Sequence, residues 1–275
     1  MAYPKIDKTF TSRSLSPAVR IGLIAFAAAF VLAIVDLRLA TVPLTLFVLL
    51  CAMAPFFPKA GIFFPVVGRG RTGTPVVALT FDDGPDPATT PRLLDLLARY
   101  RVPATFFVTG RRATRYPHLI RLILAHGHAV GNHTFNHDCF RIFWQPARLA
   151  REIDATQTAL SRLGVVPLVF RPPVGIVTPA MGSLLAERGL TLVHFSCRAS
   201  DWGNRRVDGM ANRILGKVRA DDIVLLHDIA GADPVEVETW LGEVRTIVEG
   251  LRRKRLAVVP LARLIGHPAT RSQPV

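Results

Sequence analysis

The 275-residue sequence predicts an α/β protein built on a parallel sheet and preceded by a membrane hairpin. Three observations carry that expectation. Beyond residue 75, seven short apolar runs alternate with helix-length amphipathic segments, the pattern of repeated βα units. The first run ends in two carboxylates and a turn, Thr80-Phe81-Asp82-Asp83-Gly84-Pro85, at the strand end where α/β folds gather their functional groups. Ahead of it lie two long uncharged stretches, Ile21 to Val35 and Leu39 to Phe57.

In chain order, residues 1–20 form a basic tail carrying Lys5, Lys8, Arg13 and Arg20. Residues 21–57 read as two membrane segments. The first reaches only ~22 Å as a helix at ~1.5 Å per residue, and extending it back to Pro17 lets Arg20 snorkel to the interface. Cleavage as a signal peptide is disfavoured, because the small-residue pattern Ala52-Met53-Ala54 runs into Pro55. By charge count, basic residues concentrated outside the connecting loop set both ends of the hairpin, and the domain that follows, on the cytoplasmic side of the inner membrane; if the short first run does not span, the domain falls on the other side. Residues 58–75, with their apolar island Ile62-Phe63-Phe64, read as a linker lying against the interface.

The catalytic domain is expected over 76–266. Its strands are drawn from Val76 to Phe81, Ala104 to Thr109, His128 to Asn132, Leu168 to Arg171, Leu190 to Ser196, Asp222 to His227 and Ala257 to Leu261. Amphipathic stretches such as Thr90 to Tyr100, Pro146 to Leu163 and Val235 to Leu251 separate them. Periodicity alone allows either a closed barrel or an open, doubly wound sheet. Residues 267–275 read as a disordered tail.

The formal charge is +14, of which +8 lies beyond residue 75, and such an excess points to an anionic partner such as a membrane surface, nucleic acid or a phosphorylated substrate. No nucleic-acid-binding motif accompanies it, so nucleic acid is not expected as a partner. The run Arg252-Arg253-Lys254-Arg255 reads as a solvated helix end. Three cysteines make no disulfide framework.

Five patches carry chemistry. Neighbouring residues on a strand face opposite ways, which lets Asp82 and Asp83 take different tasks, one binding a metal and the other accepting a proton. In His133-Thr134-Phe135-Asn136-His137, a helical turn would set two histidines on one face to grip a metal ion. With Asp83 they form a two-His, one-carboxylate set. In Arg171-Pro172-Pro173-Val174-Gly175, two prolines stiffen a turn and the glycine admits a ligand close to the backbone, while the arginine is placed to keep Asp82 ionised. Asp201-Trp202 and Leu225-Leu226-His227-Asp228 close the series.

Together these patches resemble the motifs of the polysaccharide deacetylase family, also called the NodB homology or carbohydrate esterase 4 family, over about Val76 to Leu261. The resemblance implies a distorted (β/α) barrel with fewer than eight complete units. It also implies Asp82 as general base, His227 as general acid, and Asp83, His133 and His137 as ligands of zinc or a similar divalent ion. Arg171 would steady Asp82, Asp201 would orient His227, Trp202 would line the pocket, and Pro173, Val174 and Gly175 would meet the substrate, Val174 through its backbone N–H. Two positions depart from the family pattern: Arg198 stands where an acid is frequent, and Val174 where an aromatic is common.

The expectation is therefore a membrane-anchored hydrolase removing N-acetyl groups from an amino sugar, in a glycan or on a lipid carrier. An O-acetyl carbohydrate esterase and a catalytically silent glycan-binding or assembly protein are the alternatives.

Overall fold

The computed structural model describes residues 15–139, 144–201, 203–229 and 234–272. Two apolar helices come first, α1 (Pro17–Val35) and α2 (Leu37–Met53). Pro17 sits at the first turn of α1, where its missing N–H costs nothing, and the Ser16 hydroxyl accepts from Val19 N. Asp36 breaks the run in an extended conformation and starts α2 by accepting from Arg38 N at 2.8 Å. The helices return on each other closely because residue 22 is glycine: a Cβ there would lie 2.8 Å from Phe47 Cζ. Their remaining faces stay open, with Ile24, Phe30, Ile34 and Leu37 all more than two-thirds exposed.

The domain proper is a distorted α/β barrel. Its strands are β1 (Val76–Asp82), β2 (Ala104–Val108), β3 (Ala129–Asn132), β4 (Val165–Pro167), β5 (Val169–Phe170), β6 (Thr191–Leu192), β7 (Cys197–Arg198), β8 (Ile223–His227), β9 (Ala257–Val258) and β10 (Thr270–Ser272). Seven of them run parallel in the order β6-β5-β3-β2-β1-β8-β7, and β9 pairs with the start of β1. Central β1 is buried along its whole length, which is why its sequence is a near-continuous apolar run. Its alternate residues divide between two cores. Val77, Leu79 and Phe81 pack outward against Leu93 and Leu97 of α3 (Thr90–Tyr100) and against Trp240 of the long helix Pro234–Arg253. Val76 and Ala78 face inward with Phe107 and Val169. By the same period of two, Thr80 and Asp82 belong to the inward face.

Several sequence expectations shift. The strand drawn over Leu190 to Ser196 shrinks to Thr191–Leu192, with the next strand starting only at Cys197, because residues 193–196 carry the chain from one end of the sheet to the other: His194 N donates to Val67 O, and Ser196 N to Ile223 O. The stretch read as a linker is partly woven into the barrel, where Val67 bridges to Val193 and Arg69 to Asp222. Asp221 secures it further by accepting from Thr72 N, the Thr72 hydroxyl and Gly73 N. The strand drawn over Ala257 to Leu261 ends at Val258, and a short helix begins at Leu261. Thr270–Ser272, in the stretch expected to be disordered, pairs antiparallel with β4; residues 273–275 of that tail lie outside the described residues. Helix Pro234–Arg253 does end in exposed Arg252, Arg253, Lys254 and Arg255, and all three cysteines are free.

Inside the barrel, Gly131 faces Phe107: a Cβ at residue 131 would come within 2.6 Å of Phe107 Cδ1 and 3.0 Å of Val169 Cγ2. Gly131→Ala should therefore destabilise the domain by about 1–3 kcal/mol through overpacking, read as a lower thermal midpoint.

Candidate active site

The catalytic and metal-binding candidates collect at the carboxyl ends of the strands. Asp82 ends β1 and His227 ends β8, and the two are register partners across that strand pair. Asp83 follows β1, His133 follows β3, Arg171 follows β5 and Asp201 follows β7.

Arg171 is fully buried, and each nitrogen of its guanidinium has a partner. Nη1 donates to Asp82 Oδ1 at 2.7 Å and to Thr80 Oγ1 at 2.8 Å, and the Thr80 hydroxyl in turn donates to Val224 O. Nε and Nη2 donate to the carbonyls of Val193 and His194, each at 3.1 Å. The Phe107 ring lies beneath, its centroid 4.0 Å from Cζ. Burial works against the arginine's charge and Asp82 sustains it, the balance being a lowering from the ordinary value. This is the contact expected from the Arg-Pro-Pro turn.

Asp82 and Asp83 are separated in a different way from the one strand alternation suggests. Asp83 has left the strand with φ 72°, and both carboxylates approach one imidazole: His133 Nε2 lies 3.8 Å from Asp82 Oδ2 and 3.4 Å from Asp83 Oδ1. The histidine pair is likewise not helical. Residues 133–139 form bends and turns, with Thr134 and His137 at φ 65° and 57°, yet His137 Nε2 still comes 3.0 Å from Asp83 Oδ1. Positive φ at three non-glycine residues in one cluster is backbone strain held by the surrounding fold, and such strain concentrates at functional sites.

This set suits a divalent cation. One ligand atom each from Asp83, His133 and His137 fall within 4.8 Å of one another. Asp83 Oδ1 is buried with no hydrogen-bond partner, although two Nε2 atoms face it. His133 Nδ1 lies 2.7 Å from the Arg171 carbonyl, which can only accept, so Nδ1 carries the proton and Nε2 presents a lone pair to the cluster. A negative oxygen and a directed nitrogen lone pair around one point are the donor set that zinc-like ions take.

His227 is fastened from behind by Asp201, whose Oδ2 lies 2.8 Å from Nδ1. Burial disfavours the imidazolium, but the Asp201 carboxylate, with Asp83 and Asp82 beyond it, raises the pKa above its ordinary value. The proton then resides on Nδ1 toward Asp201, and in the charged ring also on Nε2.

Of the residues expected to meet substrate, Trp202 lies outside the described residues. Pro173 and Gly175 are buried, and Val174 is exposed at φ 52°; Val174 and Gly175 line a cavity whose walls include none of Asp82, Asp83, His133, His137 and His227.

Three supporting residues escaped the sequence reading. Glu152 accepts from Phe135 N, Asn136 N and Asn136 Nδ2, and so holds the loop between the two histidines. Asn132 Oδ1 accepts from Thr134 N at the start of that loop. Asp228, fully buried and pushed up to about 7 by that burial, accepts from the Thr89 and Thr90 hydroxyls and fixes the turn after Asp83; a Cβ on Gly84 would lie 2.6 Å from its Oδ2. Glu152 did leave a signal, being a lone acid on the stripe Leu149, Ile153, Thr156, Leu160 that helix Pro146–Ser161 buries. Glu152→Ala should weaken divalent-metal affinity by about 10- to 100-fold, read by competition with a chromogenic chelator.

Comparison with known proteins agrees with this arrangement. The family described as polysaccharide deacetylase matches residues 69–193. A chitooligosaccharide deacetylase of Bradyrhizobium sp. (strain ANU 289) is 36% identical over 203 residues, covering 70% of this chain and 92% of that protein. A peptidoglycan-N-acetylglucosamine deacetylase of Bacillus cereus is 39% identical over 155 residues, 56% of this chain and 72% of its own. Among solved structures, a peptidoglycan N-acetylglucosamine deacetylase in complex with 4-naphthalen-1-yl-N-oxidanyl-benzamide superposes with a TM-score of 0.68 at 28% identity, covering 74% of this chain and 94% of that one. With a relative above 30% identity matched over nearly its whole length, and the same barrel recovered in three dimensions, the chain belongs to the polysaccharide deacetylase family.

Proposed function

We propose that this protein is a membrane-anchored, metal-dependent hydrolase that removes N-acetyl groups from an amino sugar, in a glycan or in a lipid-linked saccharide. The observation that carries the reading is the convergence of Asp82, held by buried Arg171, with His227 across one strand pair and the Asp83, His133, His137 cluster beside them. The names of the relatives supply the substrate class: chitooligosaccharide and peptidoglycan N-acetylglucosamine are what those deacetylases are described as acting on.

Hydrolysis of an acetamide near neutral pH needs an activated water, relief of charge at the carbonyl oxygen and a proton for the departing nitrogen. A divalent ion on Asp83, His133 and His137, with zinc the natural choice for that donor set, would polarise the carbonyl and acidify water when bound. Asp82 takes the proton of the attacking water, and the Arg171 contact on Oδ1 holds the carboxylate in place with Oδ2 left to accept it. His227, whose charged form Asp201 favours, delivers a proton to the leaving nitrogen. The product amine and acetic acid account for every atom of amide and water.

The anchor is argued from α1 and α2. Both segments are long and apolar enough to cross a bilayer, with mean hydropathies of 2.5 and 2.1 and less than a fifth of each buried. Large apolar side chains exposed along both helices call for lipid around them. In this reading residues 21–57 span the inner membrane twice, 76–266 form the catalytic domain, and the charge count sets that domain on the cytoplasmic side.

Asp82→Asn should lower turnover by about 100-fold or more while leaving bound metal unchanged by elemental analysis. Because the substitution also removes the charge facing buried Arg171, the thermal midpoint should fall; turnover retained at the parent rate would take Asp82 out of the base role. Acetate release from N-acetylated and O-acetylated sugars should favour the former, and a chelator should abolish it until a divalent ion is restored.

A further inference from the structure

The two ends of the sheet, β6 and β7, are joined by residues 193–196, and along this seam opens a cavity of about 660 Å³. Its walls come from three places: His194, Phe195 and Arg198 at the seam, Val174 and Gly175 of the loop that follows Arg171, and residues 56–60 just past the end of α2. Three cations face it. Lys59 comes from the end of the hairpin, Arg198 from β7 and Lys217 from the turn before β8. No acidic residue lines the cavity, and among the described residues none of the three cations has a carboxylate partner. Lys59 Nζ reaches only the Ser196 carbonyl, at 3.4 Å, and the Arg198 guanidinium lies 5.8 Å from the Phe195 ring. His194 adds no fourth positive charge: burial drives its pKa down to about 4, which leaves the ring neutral.

Converging cations without an anion repel one another within a Debye length of ~10 Å, and a bound phosphate would relieve that repulsion. The surroundings narrow the choice of phosphate. Phe56 and Phe57, each 60% exposed, stand at the cavity where the second apolar span ends, at Phe56. An amphipathic ligand would lay its tail along the hairpin, set its charged group between Lys59, Arg198 and Lys217, and pass its sugar toward the loop behind Arg171.

We propose that this cavity is the phosphate subsite for a lipid-linked saccharide, binding the phosphate or diphosphate that joins the lipid to the sugar. The proposal rests on the deacetylase reading only for what happens to the sugar afterwards; the anion site itself stands on the cavity.

The test uses the full chain in nanodiscs of neutral lipid, loaded with zinc, and compares Lys59→Ala/Lys217→Ala with Lys59→Arg/Lys217→Arg. The parent should bind farnesyl diphosphate at least about 10-fold more tightly than farnesol and than inorganic pyrophosphate. The alanine pair should lose about 10-fold in that affinity, and the arginine pair should keep it. The KM for a short-chain polyprenyl diphosphate N-acetylglucosamine should rise in parallel for the alanine pair, with kcat/KM on soluble chitotetraose unchanged. Equal binding by parent and alanine pair overturns the site, as does parent binding of farnesol as tight as of the diphosphate. Inorganic pyrophosphate bound as tightly as farnesyl diphosphate overturns its lipid character. Failure of the two readings is separable: charge-dependent farnesyl diphosphate binding without turnover of any N-acetylated sugar sinks the deacetylase and supports the subsite, and chitotetraose turnover without that binding does the reverse.

Discussion

The contact between Arg171 and Asp82 is the constraint around which the rest of the site is arranged. A fully buried guanidinium is tolerable only where its donors are met, and here four oxygens meet them, one from a hydroxyl, one from a carboxylate and two from carbonyls, while the Phe107 ring covers its face. Removing any one exposes a low-dielectric charge to imbalance, so the strand ends are tied to each other through a single side chain. The carbonyl of the same residue also fixes the tautomer of His133. One arginine thus governs both the carboxylate on one side of the cluster and the imidazole on the other.

Around that centre the fold places groups by register before it places them by side-chain contact. Asp82 and His227 are neighbours because β1 and β8 pair in parallel, and Thr80 lies inward with Asp82 because a strand turns over every second residue. What register cannot supply is the left-handed backbone at Asp83, Thr134 and His137. That geometry is held from outside, by Asp228 through two threonine hydroxyls and by Glu152 through three N–H groups. Both acids touch their loops rather than the cation cluster, and each is shielded from water.

Much of the fold was legible because burial leaves a periodic trace. The run Val76 to Phe81, the helix starting at Thr90 and the helix starting at Pro146 fall where apolar spacing put them. The seam was not legible, since two-residue strands such as Thr191–Leu192 and Cys197–Arg198 are shorter than any period, and their position depends on Val67 crossing from far earlier in the chain. At the candidate site, residue types singled out Asp83, His133 and His137 as a trio, and the structure brings them together, but the way they meet could not be read. Helical spacing and strand alternation both predicted convergence for reasons the backbone does not use, because positive φ at a non-glycine residue leaves no mark in composition. Glu152 could have been noticed as an acid on a buried stripe; Asp228 stood beside His227 and was eclipsed by it.

The hairpin is not a loose leash. Ala18 N donates to Ile62 O at its first turn and Val177 N donates to Pro55 O at its last, so both legs are stitched to the domain near their feet. Under the proposed anchoring, the barrel cannot tumble about a single flexible point; it stands off the bilayer at one height and one attitude. Such a protein meets its targets by sliding in two dimensions, and its choice among acetylated sugars would be set by how far above the lipid each one is displayed, a geometric sieve operating before any chemistry begins.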